Sequence, residues 1–242
     1  MTRRLALRWP NSRPFHRHGG RPLRLLAVSD EIDPALEVLA NRDALEPVDL
    51  VVGCGDLAPD WLGFLADAFR APLTYVRGNH DRRGPWPFPP GIPAPSSGWV
   101  DRLVPGVPIL ALPWPGRDGE PARRDERAAW GQVLGRVLLR PPNPAVGAII
   151  VSHVPPRGAG DTPGDEYHVG FAAYAFALRR VQPVVWLHGH TTRAAQRDWR
   201  TQRGATTLVN VTGSVLVELT SPDAADGVPG EAGGLRSSAE GR

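Results

Sequence analysis

The chain has 242 residues, 41% apolar and 22% charged, which describes a globular protein with room for one sizeable core. No apolar run approaches the roughly 20 residues that cross a bilayer, so no membrane partner is expected, and one cysteine, Cys54, excludes a disulfide framework and fits a reducing, cytoplasmic setting. All 28 basic residues are arginines, and seven lie in the acid-free first 24 residues; the remaining 21 face 25 acids, so the body is net negative and its charge gives a nucleic-acid partner no support.

Residues 1–22 read as a basic N-terminal arm, a partly disordered extension in which 5–9 could add an edge strand. Its arginines also fit a transit peptide or a phosphate-attracting tail, but it lacks the apolar segment of a secretory signal. From residue 23 onward, short apolar runs alternate with amphipathic stretches. Strands are expected over 23–28, 49–52, 73–76, 108–112, 148–151 and 184–187, with helices over 34–40, 60–69, 122–139 and 170–181. Segment 84–95 holds six prolines in twelve residues, too many for a helix or a central strand. Residues 206–211 and 214–219, separated by Thr212-Gly213, read as a closing hairpin. The alternation argues an α/β domain over 23–220. Residues 221–242, rich in Gly, Ser and Ala, read as a disordered tail.

Polar residues gather where the apolar strands end. Strand 23–28 runs into Ser29-Asp30, strand 49–52 into Gly53-Cys54-Gly55-Asp56, and strand 73–76 into Arg77-Gly78-Asn79-His80-Asp81. Strand 148–151 runs into Ser152-His153 and strand 184–187 into His188-Gly189-His190. Ligands of α/β sheets collect at the carboxyl ends of strands, so these five turns can converge. Two carboxylates, an amide oxygen and two or three imidazoles suit a divalent cation of hard to borderline character.

In this order and spacing, Asp30, Gly55-Asp56, Gly78-Asn79-His80-Asp81, His153 and Gly189-His190 resemble the calcineurin-like metallophosphoesterase superfamily. The resemblance spans about residues 23–219, and His168-Val169-Gly170 is similar to a loop that precedes the last Gly-His motif in many bacterial members. It implies a four-layer α/β/β/α sandwich of two mixed sheets flanked by helices, and hydrolysis of phosphate mono- or diesters at a pair of divalent metals (manganese, iron, zinc or magnesium). By the same resemblance Asp56 bridges the two metals, Asn79, His153 and His190 complete one of them, and Asp30 binds the other. His80 would assist departure of the leaving group, and Asp81 would orient its ring.

The sequence departs from the family pattern at two places. Ile32 and Thr192 stand where the motifs Asp-x-His and Gly-His-x-His carry imidazoles, and both losses fall on the metal bound by Asp30. One tight and one weaker site are therefore expected, with His188 as a possible replacement ligand and Glu31 out of register. Arg157 could clamp a phosphate oxygen, with Arg82 and Arg83 as lesser candidates, and Trp86 and Phe88 could wall a pocket or pack on the body. Cys54 reads as a small buried filler. Retention of His80 favours a metal-dependent hydrolase; the lost ligands leave open a weakened member acting as a phosphate-binding or protein-interaction module.

Overall fold

A computed structural model describes residues 2–81, 91–116, 124–139, 143–192 and 198–224. Arg82, Arg83, Trp86 and Phe88, the start of the expected helix 122–139 and most of the expected tail lie outside the described residues. In chain order the strands are β1 (Arg3–Arg8), β2 (Leu23–Ser29), β3 (Leu50–Gly53), β4 (Leu73–Tyr75), β5 (Gly98–Val100), β6 (Ile109–Leu112), β7 (Ile149–Ser152), β8 (Val185–His188), β9 (Arg200–Arg203), β10 (Thr206–Asn210) and β11 (Gly213–Thr220). The α-helices are α1 (Leu39–Asp43), α2 (Pro59–Phe69), α3 (Glu126–Val137) and α4 (Ala172–Val181).

The strands form two mixed sheets, ordered β1-β11-β2-β3-β4 and β5-β6-β7-β8-β10-β9. Their facing sides share one core, in which Leu25, Ala27, Leu50 and Val52 meet Ile109, Ala111, Ile149, Val151, Val185 and Leu187. The alternate residues of β2 and β3, with Tyr75, face Leu62, Leu65 and Phe69 of α2. Those of β6–β8 face Ala129, Val133 and Val137 of α3 and Ala173, Ala177 and Val181 of α4. This period-two division of strand residues between two apolar faces produces the four layers. Among the described residues, no helix is long and apolar enough to cross a membrane.

Helix boundaries follow local chemistry. Pro59 opens α2 and a left-handed Arg70 closes it. The Asp125 side chain accepts the Ala128 N–H at 3.0 Å, so α3 starts at Glu126, later than apolar periodicity alone indicates. The expected helix over 34–40 is instead a 3₁₀ turn at Pro34–Glu37 followed by α1, divided at an extended Val38.

One organisational expectation needs correction. The segments 206–211 and 214–219 do not pair as a hairpin: β10 lies between β8 and β9, and β11 lies in the other sheet between β1 and β2. Asn210 turns the chain between the sheets, accepting the Thr212 N–H at 3.0 Å while its Nδ2 donates to Thr191 at 2.9 Å. A hairpin does form between β9 and β10, whose polar edge strand hides the apolar alternation that signals strands.

Within the arm, the edge strand that residues 5–9 could add is present as β1, at the edge of its sheet. β1 pairs parallel with β11 from Arg3 to Arg8, and Leu5, Trp9 and Phe15 enter the core between the sheets. Arg21 closes the segment with two bonds of 2.6 and 2.8 Å to Asp49, which also accepts the Arg24 N–H. Burial works against the Asp49 charge, but Arg21 and that N–H outweigh it and hold the carboxyl below the usual range. Trp9 is fully buried, so Trp9→Ala should cost about 3–5 kcal/mol in urea unfolding. A loss below about 1 kcal/mol, the size of an ordinary surface change, would show that this segment does not anchor the fold.

Candidate metal centre

The carboxyl ends of β2, β3, β7 and β8, with the turn after β4, bring the polar residues together at one end of the two sheets. Three of these residues, Asp30, Asp56 and His190, have left-handed backbones with φ of 59°, 57° and 67°. Such a conformation costs a residue with a side chain about 1–3 kcal/mol. Two glycines permit the close approach of the loops: a Cβ on Gly78 would collide with the Asp56 carboxylate, and one on Gly189 with Ser29 and Asp30.

His153 is the hub. Its Nε2 lies 2.7 Å from Asn79 Oδ1, 3.1 Å from Asp56 Oδ2 and 3.2 Å from His190 Nδ1. Neighbouring ligands on a cation with bonds of about 2.1 Å stand about 3 Å apart, so this spacing suits a metal. Its Nδ1 faces the Cys54 carbonyl at 2.9 Å, which fixes the ring's orientation. Asp30, Asp56 and His153 each offer a donor atom within 4.8 Å of the others. Oxygen and imidazole donors in this arrangement fit a divalent cation.

Charges at the centre oppose one another. Burial disfavours a charged His153, but the Asp56 carboxylate overcomes this and pushes it up to about 9. Burial raises Asp56, and the His153 hydrogen bond together with the His80 N–H brings its carboxyl below the usual range. Burial, then the neighbouring charge on His153, lowers His190 to about 3. Without metal, a proton thus resides on His153 Nε2 among three acceptors, and a cation must displace it.

The remaining expected residues fall into place unevenly. The His80 N–H donates to Asp56 Oδ1 at 2.9 Å, and its side chain is exposed beside the centre. The Oδ2 of Asp81 accepts the N–H groups of Gly78 at 2.7 Å and Asp56 at 3.0 Å, tying two loops together. Asp30 accepts the His190 N–H at 3.1 Å and the Thr212 hydroxyl at 3.4 Å. Arg157 reaches Gly170 O at 3.2 Å and Glu126 at 3.7 Å, partners in the α3–α4 region rather than in the cluster around His153. His188 is buried, its ring facing Gly160 and the Gly189 carbonyl, and burial lowers it to about 4. The left-handed turn at His190 breaks the alternation on which a shared face for His188 and His190 depends. Cys54 is buried and burial raises its thiol, which matches a packing role.

Sequence reading missed Trp114, two residues past β6, whose ring centre lies 6.1 Å from that of His190. The strand-end rule that located the other residues points to it as well. A cavity of about 380 Å³ shares Gly78 and Asp81 with the centre and reaches Arg77, Ser96, Trp114 and Gln132. Tyr167 was also missed; its carbonyl accepts from His190 Nε2 at 2.6 Å, a backbone role that residue type does not announce.

The calcineurin-like phosphoesterase family matches residues 18–193, and the chain belongs to that family. One solved structure aligns with a TM-score of 0.54 at 16% identity, covering 81% of this chain and 95% of its own. A dimetal phosphatase from Danio rerio aligns with a TM-score of 0.50 at 13% identity, covering 80% and 88%. TT1561 of Thermus thermophilus gives 0.48 at 16% identity, covering 79% and 90%. The first two share the fold with this chain. No curated protein sequence matches it.

Proposed function

We propose that the chain is a metal-dependent phosphoesterase that hydrolyses a phosphate mono- or diester. The observation that carries this reading is the gathering of Asp56, Asn79 and His190 around His153 Nε2, with Asp30 beside them. Asp56, Asn79, His153 and His190 would hold one divalent cation (manganese, iron, zinc or magnesium), and Asp30 with Asp56 a second, weaker one. Bound there, the cations supply charge neutralisation for the phosphoryl oxygens and a water of lowered pKa. Asp81 keeps the Asp56 and Asn79 loops in register by holding the Gly78 and Asp56 amides. His80 is fixed through its backbone while its ring remains exposed to substrate, where it can give a proton to the departing oxygen.

The test is hydrolysis of p-nitrophenyl phosphate and bis(p-nitrophenyl) phosphate with manganese, magnesium, zinc and iron. Chelator should abolish turnover and added metal should restore it. Metal binding without turnover on either ester would favour the phosphate-binding or interaction module, a reading motivated by Ile32 and Thr192. His80→Ala should lower kcat by about 10²–10⁴ for a poor alkyl leaving group, less for p-nitrophenol, with metal content unchanged. Loss of metal from that variant would place His80 among the ligands instead.

A further inference from the structure

The two imidazoles of the tighter site are held from behind in different ways. His153 leans on a carbonyl at the end of β3, whereas His190 leans on Tyr167, in the irregular loop between β7 and α4. Tyr167 is 71% exposed, so its contribution at the centre is the carbonyl and not the phenol.

Asp165 fixes that carbonyl in place. Its Oδ1 accepts the Tyr167 N–H at 2.9 Å and its Oδ2 binds Nδ1 of His168. The His168 ring in turn lies 5.2 Å from the His190 ring, so the carboxylate grips two of the residues that neighbour His190. Backbone bonds from Asp165 to Thr162, Thr162 to His168 and Val169 to Asp165 close the loop around it. The His168 bond and then the Tyr167 N–H hold the Asp165 carboxyl below the usual carboxylate range, so it is ionised and a pure acceptor at neutral pH.

The consequence reaches His190 through its tautomer. A neutral imidazole that donates Nε2–H to a carbonyl presents the Nδ1 lone pair on its other side. Here that side faces His153 Nε2 at 3.2 Å. Resting on the metal-centre reading above, we propose that Asp165 is a positioning residue for the metal: it shapes the loop whose Tyr167 carbonyl orients His190 and turns its Nδ1 toward the cation.

The test measures manganese binding to the metal-free full-length protein by chelator competition, independently of turnover. Loss of a group that orients a ligand lowers metal affinity by about 10–100-fold, and Asp165→Ala should do the same to the tighter site. Asp165→Asn retains an oxygen for the Tyr167 N–H and should bind manganese about as tightly as the unaltered protein. Circular dichroism and melting of the metal-free variants should be unchanged, because Asp165 lies outside the three apolar cores. Full affinity in Asp165→Ala, or equal weakening in both variants, would overturn the assignment. Absence of manganese binding by the unaltered protein would instead overturn the metal centre itself.

Discussion

Asp56→Asn will reduce metal-dependent hydrolysis far more than Asp30→Asn. Asparagine has nearly the same shape and tolerates left-handed backbone, so φ near 57° at position 56 and 59° at position 30 adds no new strain in either variant. The difference between the two is therefore electrostatic. Asp56 carries the charge nearest to His153 Nε2, accepts the His80 N–H and would touch both cations. Asp30 binds the His190 amide and Thr212, and would touch only the weaker cation. Removing a group that merely supports a ligand costs about 10–100-fold, and Asp56→Asn should exceed that range while Asp30→Asn falls within it. Circular dichroism should show both variants folded. Equal residual activities would refute a bridging role for Asp56.

How far the sequence could be read divides along one physical line. Buried strands announce themselves through apolar residues, and their ends gather the polar turns within which the family resemblance singles out Asp30, Asp56, Asn79, His153 and His190. Partner choice between strands is less visible. The two residues between 211 and 214 look like a hairpin turn, yet Asn210 uses its side chain to send the chain into the other sheet. The arm misleads through its arginines: only Leu5 among the six residues of β1 is buried, so the composition reads as solvent-facing although Trp9 and Phe15 are core residues. At the centre, ligand identity is carried by side chains and is legible, whereas the group behind His190 is a backbone carbonyl that any residue could supply.

The metal content should be unequal between the two sites. Under the proposed assignment four protein ligands would surround one position, while the other would have the Asp30 and Asp56 carboxylates. Ile32 and Thr192 carry no imidazole, and His188 faces Gly160 instead. Water must complete the second shell, and each water adds a bond without the advantage of a ligand already tethered to the chain. About one tightly held metal per chain is expected after purification, with the second taken up only in excess manganese or magnesium. Activity should rise over that weaker range. The pH dependence of the tight site follows from His153, which is pushed up to about 9 and must lose a proton to bind metal. Affinity should therefore increase as pH rises from 6 toward 9, by about tenfold per unit where one proton is displaced, and level off above it. The double change Ile32→His with Thr192→His introduces both imidazoles at exposed positions and should raise the retained stoichiometry toward two. Elemental analysis and metal titration measure both effects. Two tightly bound metals in the unaltered protein would refute the asymmetry and require a ligand beyond Asp30 and Asp56 at the second position.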